Sequence, residues 1–253
     1  MAIGAGLQKN SSLTALDLQY NQLGDESGKA IGAALETNST LTSLGLSVND
    51  LGDESGTAIG VALPKNSTLT SLYLSSCQLG NESGKAICAA LEKNSTLTML
   101  DLGGNYLRTE FGKAIGAALE KNSSLTSSGM SPGRTPLSPR SICAAASSGL
   151  SPKLYCNQLG DESGKVIGAA LKKNDTLNTL KLYSCNLGAE SGKAISTALE
   201  NNSTLTSLEL SGNQLGAESG KAIVIGRRGA REELHSAYSS GMGCWRRTPL
   251  SPR

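Results

Sequence analysis

Leucines recur along the chain in a pattern that switches period within each unit. In LTALDLQYNQLGDESGKAIGAALETNST, which starts at Leu13, Leu16 and Leu18 alternate as the apolar side of a short strand. Asn21 and Leu23 turn the chain and Gly24 permits the tight bend. Asp25 or Glu26 then opens a helix, where acidic groups suit the dipole. Ala30, Ile31, Ala34 and Leu35 fall at helical spacing on one side, with Lys29 and Glu36 on the other. Asn38, Ser39 and Thr40 mark the helix exit. The pattern restarts every 28 residues at Leu41, Leu69, Leu97 and Leu125, and again at Leu177 and Leu205. LYCNQLGDESGKVIGAALKKNDT, from Leu154, is most of another unit.

One such unit cannot bury its own leucines. Stacked units can, with the strands in a parallel sheet on a concave face and the helices packed behind on a convex one. The expected fold is therefore an α/β solenoid of strand–turn–helix units, interrupted near its middle. A ladder position recurs as Asn21, Asn49, Cys77, Asn105, Asn157, Cys185 and Asn213. Its expected role is structural, a buried side chain bonded to the backbone of its own and adjacent turns, with Cys as a tolerated substitute.

The unit LxxLxLxxNxLGxESGKAIxxALxxNST resembles the leucine-rich repeats, and within them the long repeats of the ribonuclease-inhibitor-like subfamily. Similar repeats occur in NOD-like receptors and in Ran GTPase-activating proteins. The resemblance covers roughly residues 1–126 and 153–225. It implies the solenoid fold and protein–protein recognition by an open concave face, and leaves the partner unnamed.

Two stretches stand outside the pattern. Residues 127–152 form an irregular segment between a first block (1–126) and a second block (153–225), and 226–253 form a basic irregular tail. Leu18 to Leu154 is four short of five repeat lengths, which reads as a damaged unit rather than an insertion. RTPLSPR occurs at Arg134–Arg140 and again at Arg247–Arg253. Plausible codons for the repeat peptide IGAALEKNS, shifted in frame, encode RRGAREEL, the residues at Arg227–Leu234. The tail and part of 127–140 therefore read as repeat-coding DNA translated out of frame. At the other end Met1 falls where Lys29 sits in the unit, so the array is expected to start on half a unit without a cap.

Composition sharpens this picture. Aromatic residues make up 3% and the net charge is +2, which suits a stacked aliphatic core and excludes a highly charged disordered chain. Eight of the nine Arg lie in the two irregular stretches; elsewhere 15 basic residues face 19 acidic ones, a balance of −4. The basic pI is thus no argument for nucleic acid. No apolar run is long enough for a membrane span, and no secretory signal is visible. With six Cys in no metal-ligand spacing, the thiols read as reduced and the chain as cytoplasmic.

Candidate chemistry is sparse. GDESGKA at Gly24–Ala30 is one residue short of a phosphate loop, lacks the magnesium-binding hydroxyl, and recurs as a turn entering a helix should. Lone His235 offers no triad and no metal site. Asn-x-Ser/Thr at Asn38, Asn66, Asn94, Asn122, Asn174 and Asn202 reads as a by-product of the repeat turn, bare of glycan without a signal peptide. Ser/Thr-Pro steps at Ser131, Thr135, Ser138 and Thr248 are accidental if the shifted frame holds. The partner-binding candidates flank the strand leucines: Asp17, Tyr20, Tyr73, Asp101, Tyr155, Lys181, Tyr183 and Glu209. Tyrosine is favoured at binding surfaces; the alternative is drift on a solvated face. No nucleophile, acid–base pair or metal cluster recurs. The expectation is a non-enzymatic intracellular scaffold for a protein partner, with no cofactor, metal, nucleic acid, membrane or small-molecule substrate. The alternative is a GTPase-activating regulator of a Ran-like small GTPase.

Overall fold

The computed structural model describes residues 2–129, 157–216 and 219. Strands and helices alternate throughout: α1 (Ala2–Lys9), β1 (Ala15–Asp17), α2 (Asp25–Leu35), β2 (Ser43–Gly45), α3 (Gly52–Ala62), β3 (Ser71–Tyr73), α4 (Asn81–Leu91), β4 (Met99–Asp101), α5 (Thr109–Lys121), β5 (Ser127–Gly129), α6 (Gly160–Leu171), β6 (Thr179–Lys181), α7 (Ala189–Leu199) and β7 (Ser207–Glu209). The seven strands form one parallel sheet in chain order. Among the described residues each helix packs on the next behind it, unit against neighbouring unit.

The register follows the repeat. Leu16 pairs with Leu44, Leu44 with Leu72, Leu72 with Leu100, and Leu180 with Leu208. Behind the sheet, Leu44, Leu72, Leu100 and Leu180 are buried with the helix residues Ile31, Ile59, Ile87, Ile115, Ile167 and Ile195. The core is therefore a stack of near-identical aliphatic layers, and burial of this apolar area drives its assembly. Phe111, the one phenylalanine of the chain, is fully buried where other units bury Ser55, Ser83, Ser163 and Ser191. It fits because Gly84 faces it; a Cβ there would lie 2.6 Å from the ring.

The sheet is continuous across the irregular segment. β5 pairs with both β4 and β6, Ser127 lying between Met99 and Thr179. The strand at 127–129 and the turn and helix from Asn157 onward thus occupy one unit, where the sequence reading divided them between two.

Candidate functional site

At most ladder positions one asparagine bonds the backbone of two adjacent turns, and two kinds of position differ. Asn49 Nδ2 donates to the carbonyls of Leu18 (3.0 Å) and Leu46 (2.7 Å), while its Oδ1 accepts the N–H groups of Asn21 (3.1 Å) and Leu23 (2.9 Å). Asn105 and Asn213 repeat this geometry on Leu74, Cys77 and Leu79, and on Leu182, Cys185 and Leu187. Asn157 does the same across the gap, with Leu102 and Leu107. One asparagine amide thereby satisfies four backbone groups of a turn that neither sheet nor helix covers.

Asn21 departs from its expected buried role. It is exposed and its amide donates to Gln19 O (2.9 Å), because among the described residues no strand precedes β1 in the sheet to supply the upstream turn. Cysteine is the second difference. Cys77 Sγ reaches Leu46 O (3.1 Å), but a thiol has no fork of acceptor lone pairs for two N–H groups. Backbone bonds form at these turns: Gly52 N–H donates to Cys77 O, and the Leu159 and Gly160 N–H groups to Cys185 O. The turns ahead of these cysteines tighten to suit, with Gly52 at φ +69° and Gly160 at φ +72°. Burial pushes the Cys77 thiol up to about 12.

A second asparagine ladder escaped the sequence reading. Asn38, Asn66, Asn94, Asn122 and Asn174 are buried at the helix exits. Asn66 Nδ2 donates to Leu35 O (2.8 Å) and Asn38 O (3.1 Å), and its Oδ1 accepts from Thr68 (3.1 Å) and Leu69 (2.8 Å). The threonine two residues on adds its own rung, Thr68 Oγ1 to Leu41 O (3.0 Å). These are the Asn-x-Ser/Thr motifs. Their recurrence was the available signal, and the pattern of a glycosylation acceptor hid a structural one. In the folded array both amide hydrogens of Asn66 are spent on buried carbonyls, so the nitrogen is closed to a glycan.

A third device links the helix starts. No helix has a side-chain cap from its own N-cap residue where that residue is Gly24, Gly80 or Gly188. Instead Asp53 Oδ1, from the preceding unit, accepts the N–H groups of Gly80 (2.8 Å) and Ser83 (3.0 Å). Asp161 does the same for Gly188 (2.8 Å) and Ser191 (2.9 Å), and takes the Ser191 hydroxyl at 2.7 Å. Burial opposes ionisation of Asp161, but the hydroxyl and the two N–H groups outweigh it, with Lys165 assisting, and hold the carboxyl below its ordinary value.

The open face of the sheet carries the candidate binding residues. One register row runs Asp17, Gly45, Tyr73, Asp101, Gly129, Lys181 and Glu209 across all seven strands. Lys181 and Glu209 approach to 4.0 Å and partly neutralise each other. Asp17 and Asp101 are braced by the N–H groups of Gln19 and Gly103, each at 3.0 Å. In the two units between them, Ser47 and Ser75 are buried and bonded to each other at 2.9 Å. Tyr73, on β3 beside Ser75, is half-buried, as is Tyr183, which lies three strands away after β6. Tyr20 sits apart from the row, 57% exposed in a turn at φ +60°, since β1 ends at Asp17. Tyr155 lies outside the described residues, as does Lys153.

The convex side differs in kind. Its ion pairs, such as Lys85 with Glu82 (2.9 Å) and Lys193 with Glu190 (2.8 Å), are exposed and contribute little. Among the described residues no group of three His, Cys, Asp or Glu is placed to hold a metal, and no helix is long and apolar enough to cross a membrane.

A leucine-rich-repeat family model matches residues 9–32, 37–60, 65–88 and 201–224. No curated protein matches the chain. Among solved structures, an internalin from Listeria monocytogenes is similar at 21% identity and a TM-score of 0.54, covering 86% of this chain and 47% of that one. The actin-binding site 2 of leiomodin-1 (22% identity, TM-score 0.44, 59% of this chain and 86% of that one) and the tropomodulin C-terminal domain of Caenorhabditis elegans (12%, 0.44, 60% and 91%) also match. The repeat match, the parallel ladder in strict register and the internalin-like shape together make this protein an α/β leucine-rich-repeat solenoid.

Proposed function

We propose that the chain is a non-enzymatic scaffold that takes a protein partner on the concave face of the array, working in the cytoplasm. One observation carries this reading. The repeats are nearly identical even where exposure would tolerate change: the convex position Glu26 is Glu again at 54, 82, 110, 162 and 190, all exposed. Lys29 recurs as Lys85, Lys113, Lys165 and Lys193, with Thr57 the exception. The concave row instead changes from unit to unit, as Asp, Gly, Tyr, Asp, Gly, Lys and Glu. Drift on a solvated face would vary both sides alike. The concave row varies more than these two convex positions, as a surface fitted to one partner requires. Cys77, Cys88 and Cys185 are buried thiols that form no disulfide among the described residues, in keeping with a reducing compartment.

The test compares two variants of the full chain. One carries Tyr73→Ala, Asp101→Ala and Lys181→Ala on the concave row. The other carries Glu82→Gln, Lys85→Gln and Glu110→Gln on the convex side. Both should keep the parent circular dichroism. Proteins crosslinked to the parent in cells should be lost from the concave variant and kept by the convex one. Equal retention by both would overturn the concave-face reading.

A further inference from the structure

The spacing of hydrogen-bonded partners shifts by one constant across residues 130–156. Elsewhere the ladder asparagines donate to a leucine 31 residues earlier, as Asn49 to Leu18 and Asn105 to Leu74; Asn157 donates to Leu102, 55 earlier. Ladder oxygens accept from an N–H 26 residues earlier, as Asn49 from Leu23; Asn157 accepts from Leu107, 50 earlier. At the helix exits Asn66 reaches Leu35 over 31 residues, and Asn174 reaches Leu119 over 55. At the helix starts Ser55 bonds Asp25 O over 30, and Ser163 bonds Thr109 O over 54. On the convex side Lys65 meets Glu36 over 29, and Lys173 meets Glu120 over 53. Strand, turn, helix start, helix exit and convex surface all give an excess of 24.

This replaces the reading of the segment as a damaged unit rather than an insertion. The separation of Leu18 and Leu154 is five repeat lengths less four, and equally four repeat lengths plus 24. The partner spacings select the second. We infer that residues 130–153 are an insertion within a single unit, and that the array assembles its seven-stranded concave face without them. Joining Gly129 to Leu154 gives LTSSGLYCNQLGDESGKVIGAALKKNDT, a complete unit of 28 residues. The inference rests on the ladder alone and not on the partner reading above.

The experiment is a pair of deletions in the full chain, melted by far-UV circular dichroism. Removing 130–153 restores three residues between strand and ladder asparagine, as Leu102, Gly103 and Gly104 stand between Asp101 and Asn105. It shortens the connection from β5 to Asn157 about ninefold, and the saved closure entropy should raise the Tm by roughly 4–8 °C. Removing 130–155 leaves one residue for the same span, and should lower the Tm by more than about 10 °C or abolish the transition. A fall in Tm for the 24-residue deletion, or equal melting of the two, would overturn the inference. Brief trypsin cleavage of the parent at Arg134, Arg140 and Lys153 tests the same point without a variant. The two pieces should stay together on size exclusion and melt as the uncut chain does; their separation would also overturn it.

Discussion

Replacing Asn94 by alanine strikes the second asparagine ladder in the middle of the first block. The side chain is 5% exposed. Its Nδ2 donates to Leu63 O (2.7 Å) and Asn66 O (3.1 Å), and its Oδ1 accepts from Thr96 (3.0 Å) and Leu97 (2.8 Å). Alanine leaves two carbonyls and two N–H groups without these partners. At about 1 kcal/mol net for each bond, and more where water cannot replace it, the loss should be about 3–5 kcal/mol. Ser95→Ala, next to it but exposed, should stay within about 0.5 kcal/mol. Asn94→Asp separates bond loss from mere loss of volume. It keeps the acceptor for Thr96 and Leu97 but turns an oxygen toward two carbonyls. At neutral pH it should be less stable than Asn94→Ala. Burial and the facing carbonyls raise the folded pKa of that carboxyl, so protonation on acidification should recover stability relative to Asn94→Ala. Urea unfolding followed by far-UV circular dichroism reads all three. A loss under about 1 kcal/mol for Asn94→Ala would mean that water reaches these groups, and that the helix exits are not closed as described.

Three further outcomes follow from the same architecture. Leu100→Ala, at a residue 1% exposed, should cost roughly 2–5 kcal/mol in urea unfolding, and Ser71→Ala on the open face under about 0.5; equal costs would reverse the assignment of strand faces. Gly52→Ala should cost about 1–2 kcal/mol, because Gly52 sits at φ +69°, whereas Gly24→Ala should escape that strain, its backbone being extended at φ −97°; equal losses on thermal melting would remove the link between Cys77 and its tightened turn. Asp161, with its folded pKa held below the ordinary 3.8, contributes stability that is present above its unfolded value and lost as the pH falls through the folded one. Asp161→Asn should therefore be less stable than the parent near neutrality and converge with it in acid. A difference that does not shrink in pH-dependent melts would refute the capping role.

How much of this was legible in advance depended on whether a residue's partner is its own unit or the next. The strand leucines and the helix faces repeat within one unit, so periodicity alone exposed them; the first ladder showed itself only as a recurring asparagine, since most of its bonds reach the preceding unit. The roles of Asp53 and Asn66 were not readable in that way. Asp53 looked like a first-turn acid for its own helix, yet it caps α4 in the following unit. Asn66 looked like a turn residue or a glycan acceptor, yet its partners are carbonyls 28 and 31 residues earlier. Cys77 looked like a plain substitute, and only the rerouted N–H of Gly52 shows what the exchange alters. The concave candidates divided likewise. Asp17, Tyr73, Asp101, Lys181 and Glu209 share one row, while Tyr20 falls in a turn because the strands are only three residues long.

The sequence by itself determined the unit: a 28-residue alternation of strand and helix whose leucines cannot be buried alone and therefore impose stacking. Side-chain period and turn chemistry act locally, so they are written in adjacent residues. The tertiary structure decided how units are joined. It placed the asparagine and aspartate bonds between units, set all seven strands in one register, and put β5 and the turn from Asn157 onward in a single unit. Chain distance is ambiguous modulo the repeat, and only contacts in space remove that ambiguity.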